Sequence, residues 1–557
     1  MLEAHLLHEL ISVAAERAAD SRALTVAGQH TRYGELALAV QGFAAGLMAL
    51  RLGRAQRVAI CLDKRLETVV ASFGAPAAGA VFVPINPLLK PEQVAHILRD
   101  CDVTVLLTSS ARWALIAPAL LGCPALRHVV LTDPLAGAQA EAAAELQAEL
   151  STELPTELPT RRQQGVHCMT WQALLSAPPQ PGHRVIDTDM AAIFYTSGST
   201  GKPKGVVLSH RNMVAGAKSV AGYLGNHAGD VLLAALPLSF DAGFSQLSTA
   251  FHAGARVVAL NYLLPRDVLS TLVKEQVTGL TGVPPLYIQL SQLDWPAAIN
   301  ARLRYFANTG GRMPRETLTL LRRRVPNAQP FLMYGLTEAF RSTFLPPEEV
   351  DRRPDSIGKA IPNAEILVLR EDGSPCEVDE PGELVHRGAL VGLGYWGDAE
   401  KTAERYKPLP AGVGGREAGL QLPEMAVFSG DTVRRDAEGF LYFIGRRDEM
   451  IKTSGYRVSP IEVEEILYAS RLVGECVAFG VDHATLGQVI QVIATAADGS
   501  ATALDIPALL AQCRQQMPAY MVPAGFEAMA GPLPRNPNGK IDRKLLSTDW
   551  LARRDAA

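Results

Sequence analysis

Eleven residues, Tyr195-Thr-Ser-Gly-Ser-Thr-Gly-Lys-Pro-Lys-Gly205, constrain what this chain can fold into more than any other stretch. They hold three glycines, four Ser/Thr hydroxyls and two lysines, directly after the apolar run Ala191-Ala-Ile-Phe194 and before Val206-Val-Leu208. A strand therefore feeds a loop whose amides and hydroxyls, from Thr196, Ser197, Gly198, Ser199, Thr200 and Gly201, can turn toward one anion. Glycine lets the backbone approach phosphate oxygens, and Lys202 and Lys204 bring charge to a polyphosphate. Pro203 follows the first lysine where a Walker loop needs Ser or Thr for its metal, so this is a different phosphate loop. A flexible Ser/Gly linker fits poorly with two lysines between two apolar strands.

At 557 residues the chain needs two or more cores. Apolar residues make up 48% and charged residues 20%, an ordinary globular balance, and a net charge of −4 gives no reason to propose nucleic acid or an acidic membrane as partner. The seven cysteines are scattered without metal-ligand spacing, which suits a reducing compartment. The first residues carry acids where a secretory signal needs a basic region, and the expected location is cytoplasmic. Val69 to Leu89 is uncharged and long enough to span a bilayer, but its prolines, Asn86 and small residues read as a buried helix followed by a strand at Val81-Phe-Val-Pro-Ile85.

Helical patterns (Leu7–Ala19, Tyr33–Leu50, Glu92–Asp100) alternate with apolar strands (Val58–Cys61, Val103–Leu107), the α/β pattern of a parallel sheet. Residues 133–165 form an Ala/Glu-rich stretch and a Thr-Glu-Leu-Pro repeat, expected as a surface insertion. Alternation resumes from about 190 to 345, with a strand at Val257–Leu260 and helices near Arg266–Gln276 and Arg315–Arg324. A strand at Glu365–Leu369 opens residues 365–445, which are strand- and glycine-rich as in a small barrel. The glycine-laden Leu409–Gly419 is expected as an exposed loop. A compact α+β unit follows Gly445, with a helix at Ser459–Leu467.

Further motifs follow the phosphate loop in order: Asn308-Thr-Gly310-Gly311, Tyr334-Gly335-Leu-Thr337-Glu338, Ser429-Gly-Asp431, Gly445-Arg446, Lys452-Thr-Ser-Gly455-Tyr-Arg457, and Arg535-Asn-Pro-Asn-Gly-Lys540. A carboxylate such as Asp431 can accept two sugar hydroxyls, and a hard oxygen such as that of Glu338 suits Mg²⁺. Taken together, over nearly the whole chain from Thr31 to Lys540, the set resembles the adenylate-forming (ANL) superfamily: acyl-CoA synthetases, adenylation domains of peptide synthetases, and luciferases. The stretch Leu345–Gly358 also resembles exosortase A system-associated AMP-forming acyl-CoA ligases and stand-alone adenylation enzymes.

The resemblance implies a large, multi-subdomain N-terminal adenylation domain (1–446), of parallel sheets with helices plus a small β-barrel. A hinge at 447–449 centred on Asp448 and a small, mobile α+β lid (450–557) complete it. It implies that Tyr334 flanks adenine, Thr337 meets the α-phosphate and Glu338 holds Mg²⁺, with Asp431 on the ribose hydroxyls and Arg446 offering a guanidinium to the same sugar or to the phosphate. Catalysis is assigned by resemblance to Lys540, Lys452 and Thr196, and Gly455 to the passage of a pantetheine arm. ATP, Mg²⁺ and CoA, or the phosphopantetheine of a separate carrier protein, are the implied cofactors and partners of a carboxylate substrate. A luciferase-like oxygenase and a non-catalytic nucleotide-binding protein are the rivals, and intact Lys540, Glu338 and Asp431 argue against the second.

The acid pocket is implied to include Phe240 as gate, with Asp241, Thr281, Met333 and Arg341. Asp241 sits where adenylation domains for α-amino acids pair an aspartate with the substrate ammonium. Asp241 and Arg341 would each be costly to bury alone, so the alternatives are that they pair with one another or that one of them meets a polar substrate group.

Overall fold

The computed structural model describes residues 3–133, 166–196, 203–415, 419–446, 449–453, 456–483, 485–499, 504–537 and 539–556. Ser197, Gly198, Ser199, Thr200, Gly201, Lys202, Asp448, Gly455 and nearly all of the 133–165 insertion lie outside the described residues. The chain divides into two compact units. One comprises residues 1–262, 337–340 and 389–404, and the other comprises 263–336, 341–388 and 405–557.

The first unit is built on an eight-stranded sheet. Six of its strands run parallel, from His167–Thr170 through His128–Leu131, Val103–Thr108, Arg57–Cys61 and Val81–Pro84 to Met190–Thr196. Lys204–Ser209 then returns antiparallel beside Met190–Thr196, and the two-residue strand Gly394–Tyr395 caps the edge. Its central parallel strands are mostly apolar and buried (Val103 to Thr108 is wholly buried), as a sheet covered on both faces requires, while the edge strand His167–Thr170 is exposed at its ends. The uncharged stretch from Val69 is the helix Leu66–Ala77, buried from Thr68 to Pro76, which turns through Gly79 at φ +80° into the strand Val81–Pro84. A second sheet in this unit orders Gln29–Arg32, Arg22–Val26, Arg256–Ala259 and Val231–Ala234.

In the second unit Gly279–Gly282, Tyr305–Asn308 and Gln329–Tyr334 are parallel neighbours. The sheet continues antiparallel through Thr343–Leu345 and Ser356–Ala360 into Leu441–Arg446, Met425–Arg435, Gly382–Gly388 and Ala364–Leu369. Alternate residues of Ala364–Leu369 enter two small cores. Ile366 and Val368 pack with Leu384, Val433 and Leu441, while Leu367 and Leu369 pack with Val385 and Ala426. Leu409 and Val413 join the second core. The described residues of Leu409–Gly419 form a loop, as expected, exposed at Ala411, Gly412 and Gly415, while Leu409 and Val413 are its two side chains buried against the sheet. The C-terminal part forms its own sheet, ordered Tyr456–Val458, Ile451–Thr453, Gly487–Ala496 and Val473–His483, with Gly525–Ala528 parallel to Gly487–Ala496.

Two histidines are buried inside these cores. His210 opens the helix His210–Tyr223 and accepts the Leu7 amide on Nδ1 at 3.0 Å. Burial, then the neighbouring His8, pushes its pKa down to about 4. His386 lies 2.9 Å from the Ser342 hydroxyl, and burial pushes it down to about 3. Both folded values lie below the ordinary value near 6.5, so the unfolded chain binds these protons first. Stability is fully present above about pH 6.5 and falls below it, by about 1.4 kcal/mol per histidine per pH unit down to about pH 4. The thermal midpoint is therefore expected to drop between pH 6.5 and 4.5, and His386→Gln to flatten the slope. A slope unchanged in that variant removes His386 as a cause.

Candidate functional site

The strand Met190–Thr196 pairs antiparallel with Lys204–Ser209, and Thr196 and Lys204 face one another in register. An aromatic cluster pins the first strand. Phe194 meets Phe82 at 5.8 Å and Phe244 at 5.9 Å between ring centroids, and Phe73 stacks on Phe244 at 5.5 Å. Phe244 belongs to the helix Asp241–Ala253, so the same cluster fixes the helix that carries Asp241.

Asp241 stands in the first turn of that helix, where the helix dipole favours an acid, and is 3% exposed. Its Oδ1 accepts the Thr337 hydroxyl at 3.1 Å. Phe240, just before the helix, is buried. The turn Leu236–Phe240 is clamped. Gly243 lies so close to it that a Cβ would fall 1.9 Å from the Pro237 carbonyl oxygen, and Gln246 accepts the Leu236 amide while donating to Leu233. Lys64 adds a buried ammonium, donating to the carbonyls of Ala235 at 3.0 Å and Leu260 at 2.8 Å. Burial pushes its pKa down to about 8.

Glu338 lies in the short turn Thr337–Ala339. Its Oε1 accepts the Tyr395 hydroxyl at 2.6 Å, and its carbonyl accepts the Gly392 amide at 2.8 Å. The Lys204 ammonium lies 5.5 Å from the Tyr395 ring centroid. Neither Lys64 nor Tyr395 is among the residues expected from sequence. A lysine in the charged run Asp63-Lys64-Arg65 and a Gly-Tyr-Trp run carry no local signal of such partners.

In the second unit Asp431 and Arg446 face one another across two antiparallel strands, with Arg446 Nε 3.1 Å from Asp431 Oδ1. Tyr334 donates its hydroxyl to Asp431 Oδ2 at 2.5 Å. Burial raises the Asp431 pKa, while Arg446 and Tyr334 pull it the other way. A carboxylate offers about four lone-pair directions, so these two partners leave acceptor capacity for hydroxyl donors.

Asn308 ends its strand and donates Nδ2 to the Gly311 carbonyl at 2.8 Å, while its buried Oδ1 has no hydrogen-bond partner among the described residues. Gly310 has φ +76°, and a Cβ there would sit 2.9 Å from Cε and 3.6 Å from Nζ of Lys540. The Lys540 side chain therefore lies directly against this turn. Lys540 is held by a tight hairpin in which its amide donates to Asn536 Oδ1 at 3.1 Å and its carbonyl accepts the Asn536 amide at 2.8 Å. The start of that hairpin is anchored by buried Glu475, which takes the Leu533 amide and pairs with Arg535.

Lys452 is exposed on the hairpin Ile451–Thr453/Tyr456–Val458, its amide donating to Gln488. Thr281 is half-buried on Gly279–Gly282, Met333 is buried on Gln329–Tyr334, and Arg341 is 3% exposed. Gly335 has the Arg341 backbone close by, where a Cβ would lie 3.2 Å from its Cα. Asp241 and Arg341 fall in different units.

Two observations bear on the groups that such a site would take. The buried Asn308 Oδ1, lacking a partner among the described residues and set beside glycines, suits an amino group on a flat ring. Among the described residues no three His, Cys, Asp or Glu gather into a metal cage. A single carboxylate such as that of Glu338 has the hard oxygens that suit Mg²⁺, which takes one or two protein ligands and completes its shell with phosphate oxygens and water.

The sequence profile of AMP-binding enzymes matches residues 11–396, and that of the AMP-binding enzyme C-terminal domain matches 462–540. The chain belongs to the AMP-binding enzyme family, the adenylate-forming ligases. It is 29% identical to a long-chain-fatty-acid–CoA ligase of Salmonella typhimurium, over 97% of this chain and 94% of that one. It is also 29% identical to the L-proline–[L-prolyl-carrier protein] ligase of Pseudomonas fluorescens, over 97% and 99%. A linear gramicidin synthase of Brevibacillus parabrevis is 28% identical over 96% of this chain, which spans only 6% of that much longer protein. Among solved structures, the anthranilate CoA ligase AuaEII in complex with anthranoyl-AMP superposes with a TM-score of 0.82 at 23% identity, covering 99% of this chain and 98% of that one. Its fold is shared: a mixed α/β N-terminal part with a separate C-terminal domain.

Because a methyl group at Gly310 would collide with Lys540, Gly310→Ala is expected to displace that side chain and to lower adenylate formation by roughly ten- to a hundredfold. The backbone penalty at positive φ is only about 1–2 kcal/mol. Normal adenylation in a folded Gly310→Ala protein would show that the contact is dispensable.

Proposed function

We propose that this chain is an ATP-dependent carboxylate–thiol ligase: it joins a carboxylate to AMP with release of pyrophosphate, then passes the acyl group to the thiol of CoA. The observation that carries this reading is the packing of Lys540 against the Asn308–Gly311 turn. An ammonium there lies beside a turn shaped for a nucleotide, where it can neutralise charge on the substrate carboxylate and the α-phosphate as the carboxylate attacks. Such a step needs mainly positioning and electrostatic stabilisation, and no side-chain nucleophile is required. Asp431, with Arg446 and Tyr334 on its oxygens, is the acceptor proposed for the ribose hydroxyls. Tyr334 thereby acts through Asp431 as well as beside the base. Thr196 to Thr200, Lys202 and Lys204 are proposed for the triphosphate. Mg²⁺ held by Glu338 would neutralise charge on the departing pyrophosphate.

Residues 1–446 are proposed as the adenylating part, 447–449 as a hinge, and 450–557 as a lid that serves both half-reactions, with Lys452 and Gly455 reserved for the thiol step. Lys540→Ala is expected to cut carboxylate-dependent ATP–pyrophosphate exchange by roughly 10²–10³-fold while largely sparing thioester formation from supplied acyl-adenylate. Equal loss of both half-reactions would overturn the division of labour.

A second reading, an amino acid loaded onto the phosphopantetheine of a separate carrier protein, is favoured by Asp241. It is a buried carboxylate at the start of a helix behind Phe240, and one relative of equal identity is a carrier-protein ligase for L-proline. If Asp241 receives a substrate ammonium, Asp241→Asn removes a charge-assisted contact of about 1.5–3 kcal/mol and erases the preference for amino acids over the matching deaminated acids. Exchange measured over fatty, aryl and amino acids with wild type and this variant decides the substrate class. A preference for plain acyl chains that persists in the variant rejects the amino-acid reading. Supplying CoA or a phosphopantetheinylated carrier protein then identifies the acceptor.

A further inference from the structure

The strap Gly392–Trp396 fastens two separate pieces of the first unit to one another. Its Leu393 and Trp396 amides donate to Val207 and Gly205, making it a third strand beside Lys204–Ser209. Its Gly392 amide donates to the carbonyl of Glu338 at 2.8 Å. In the middle stands Tyr395, 9% exposed, whose hydroxyl donates to Glu338 Oε1 at 2.6 Å and whose ring faces the Lys204 ammonium. One side chain thus touches the carboxylate proposed for the metal and the lysine proposed for the triphosphate. The strap itself is immobilised, because the Trp396 indole donates to the Asp100 carbonyl at 3.0 Å and the Arg57 guanidinium covers its ring at 4.9 Å.

We propose that Tyr395 is the positioning residue of the metal–triphosphate half of the site, its hydroxyl orienting Glu338 toward Mg²⁺ and its ring holding Lys204 toward the phosphates. This rests on the reading of Glu338 and Lys204 given above. The chemistry follows from the two contacts. A glutamate carboxylate rotates about three side-chain bonds, and a phenol on one oxygen leaves the carboxylate a single orientation in which it can meet a small, geometry-demanding cation. A ring face attracts an ammonium by its quadrupole and limits where a four-carbon stem can swing. Outer partners of metal-binding carboxylates are worth roughly ten- to a hundredfold in metal affinity.

The two contacts can be separated by substitution. Tyr395→Phe keeps the ring and loses only the hydroxyl. It is expected to raise the Mg²⁺ concentration needed for half-maximal tight ATP binding by roughly tenfold or more, read by calorimetry without any acid substrate. ATP binding in EDTA should stay unchanged. Tyr395→Leu is expected to weaken binding in EDTA as well, because Lys204 loses its ring. Glu338→Gln should shift the Mg²⁺ dependence on its own, and Tyr395→Phe should add nothing in that background, as two members of one pair do. If Glu338→Gln shifts the Mg²⁺ dependence but Tyr395→Phe does not, or tightens it, the positioning role is overturned while the metal assignment stands. If Glu338→Gln itself shifts nothing, the metal assignment fails and this inference with it. A Tyr395→Phe protein with a lowered thermal midpoint but unaltered Mg²⁺ dependence marks Tyr395 as structural only and likewise overturns the proposal.

Discussion

Stacking of Phe73, Phe82, Phe194 and Phe244 is the interaction on which the first unit depends. The four rings join a strand from the middle of the parallel sheet, the strand that delivers the phosphate loop, and two helices, one of which begins at Asp241. Aromatic pairs at these separations add about 0.5–1.5 kcal/mol each beyond the area they bury, and Phe194 meets both Phe82 and Phe244 edge to face while Phe73 stacks on Phe244. The strand that ends at Thr196 and the helix that begins at Asp241 are thus tied together. The second unit uses a different device. There the acceptor Asp431 is buried and held by a cross-strand arginine and a tyrosine, so its orientation is set by sheet register.

Buried polar groups appear wherever the backbone has to be held without regular pairing. Gln246 spans the turn before Phe240, Glu475 anchors the Lys540 hairpin, and Arg543 lies between Glu449 and Glu464 where the final helix begins. Burial favours the neutral form of Glu464 and Arg543 draws it back, so removing the arginine would strand two partly buried acids.

Much of the architecture was legible along the chain because it is local. The helix Arg315–Arg324 and the strand from Val81 lie where periodicity and turn residues set them. The motifs around Asn308, Tyr334, Asp431 and Lys540 were readable as an ordered set, which the family match at 11–396 and 462–540 bears out at the level of family. What could not be read depends on distant pairing. Tyr395 meets a carboxylate 57 positions away, and nothing in Gly-Tyr-Trp announces it. Leu409 and Val413 sit among glycines that looked like loop, yet two aliphatic side chains suffice to fold that loop onto a sheet face. Thr337, matched to a phosphate contact, also donates to Asp241, a partnership that depends on a fold joining residues 96 positions apart.

The buried ammonium of Lys64 sets an order of events during synthesis. Its Leu260 partner emerges 196 residues later, and the Ala235 carbonyl 171 residues later. At ribosomal speeds of about 5–20 residues per second, that is a wait of roughly 10–40 s. For that interval the lysine stays hydrated, and the apolar helix beside it, Leu66–Ala77, lacks part of its eventual cover. The nascent chain thus carries an exposed hydrophobic segment through a fixed stretch of translation, a window in which chaperone capture or self-association governs how much protein reaches the folded state.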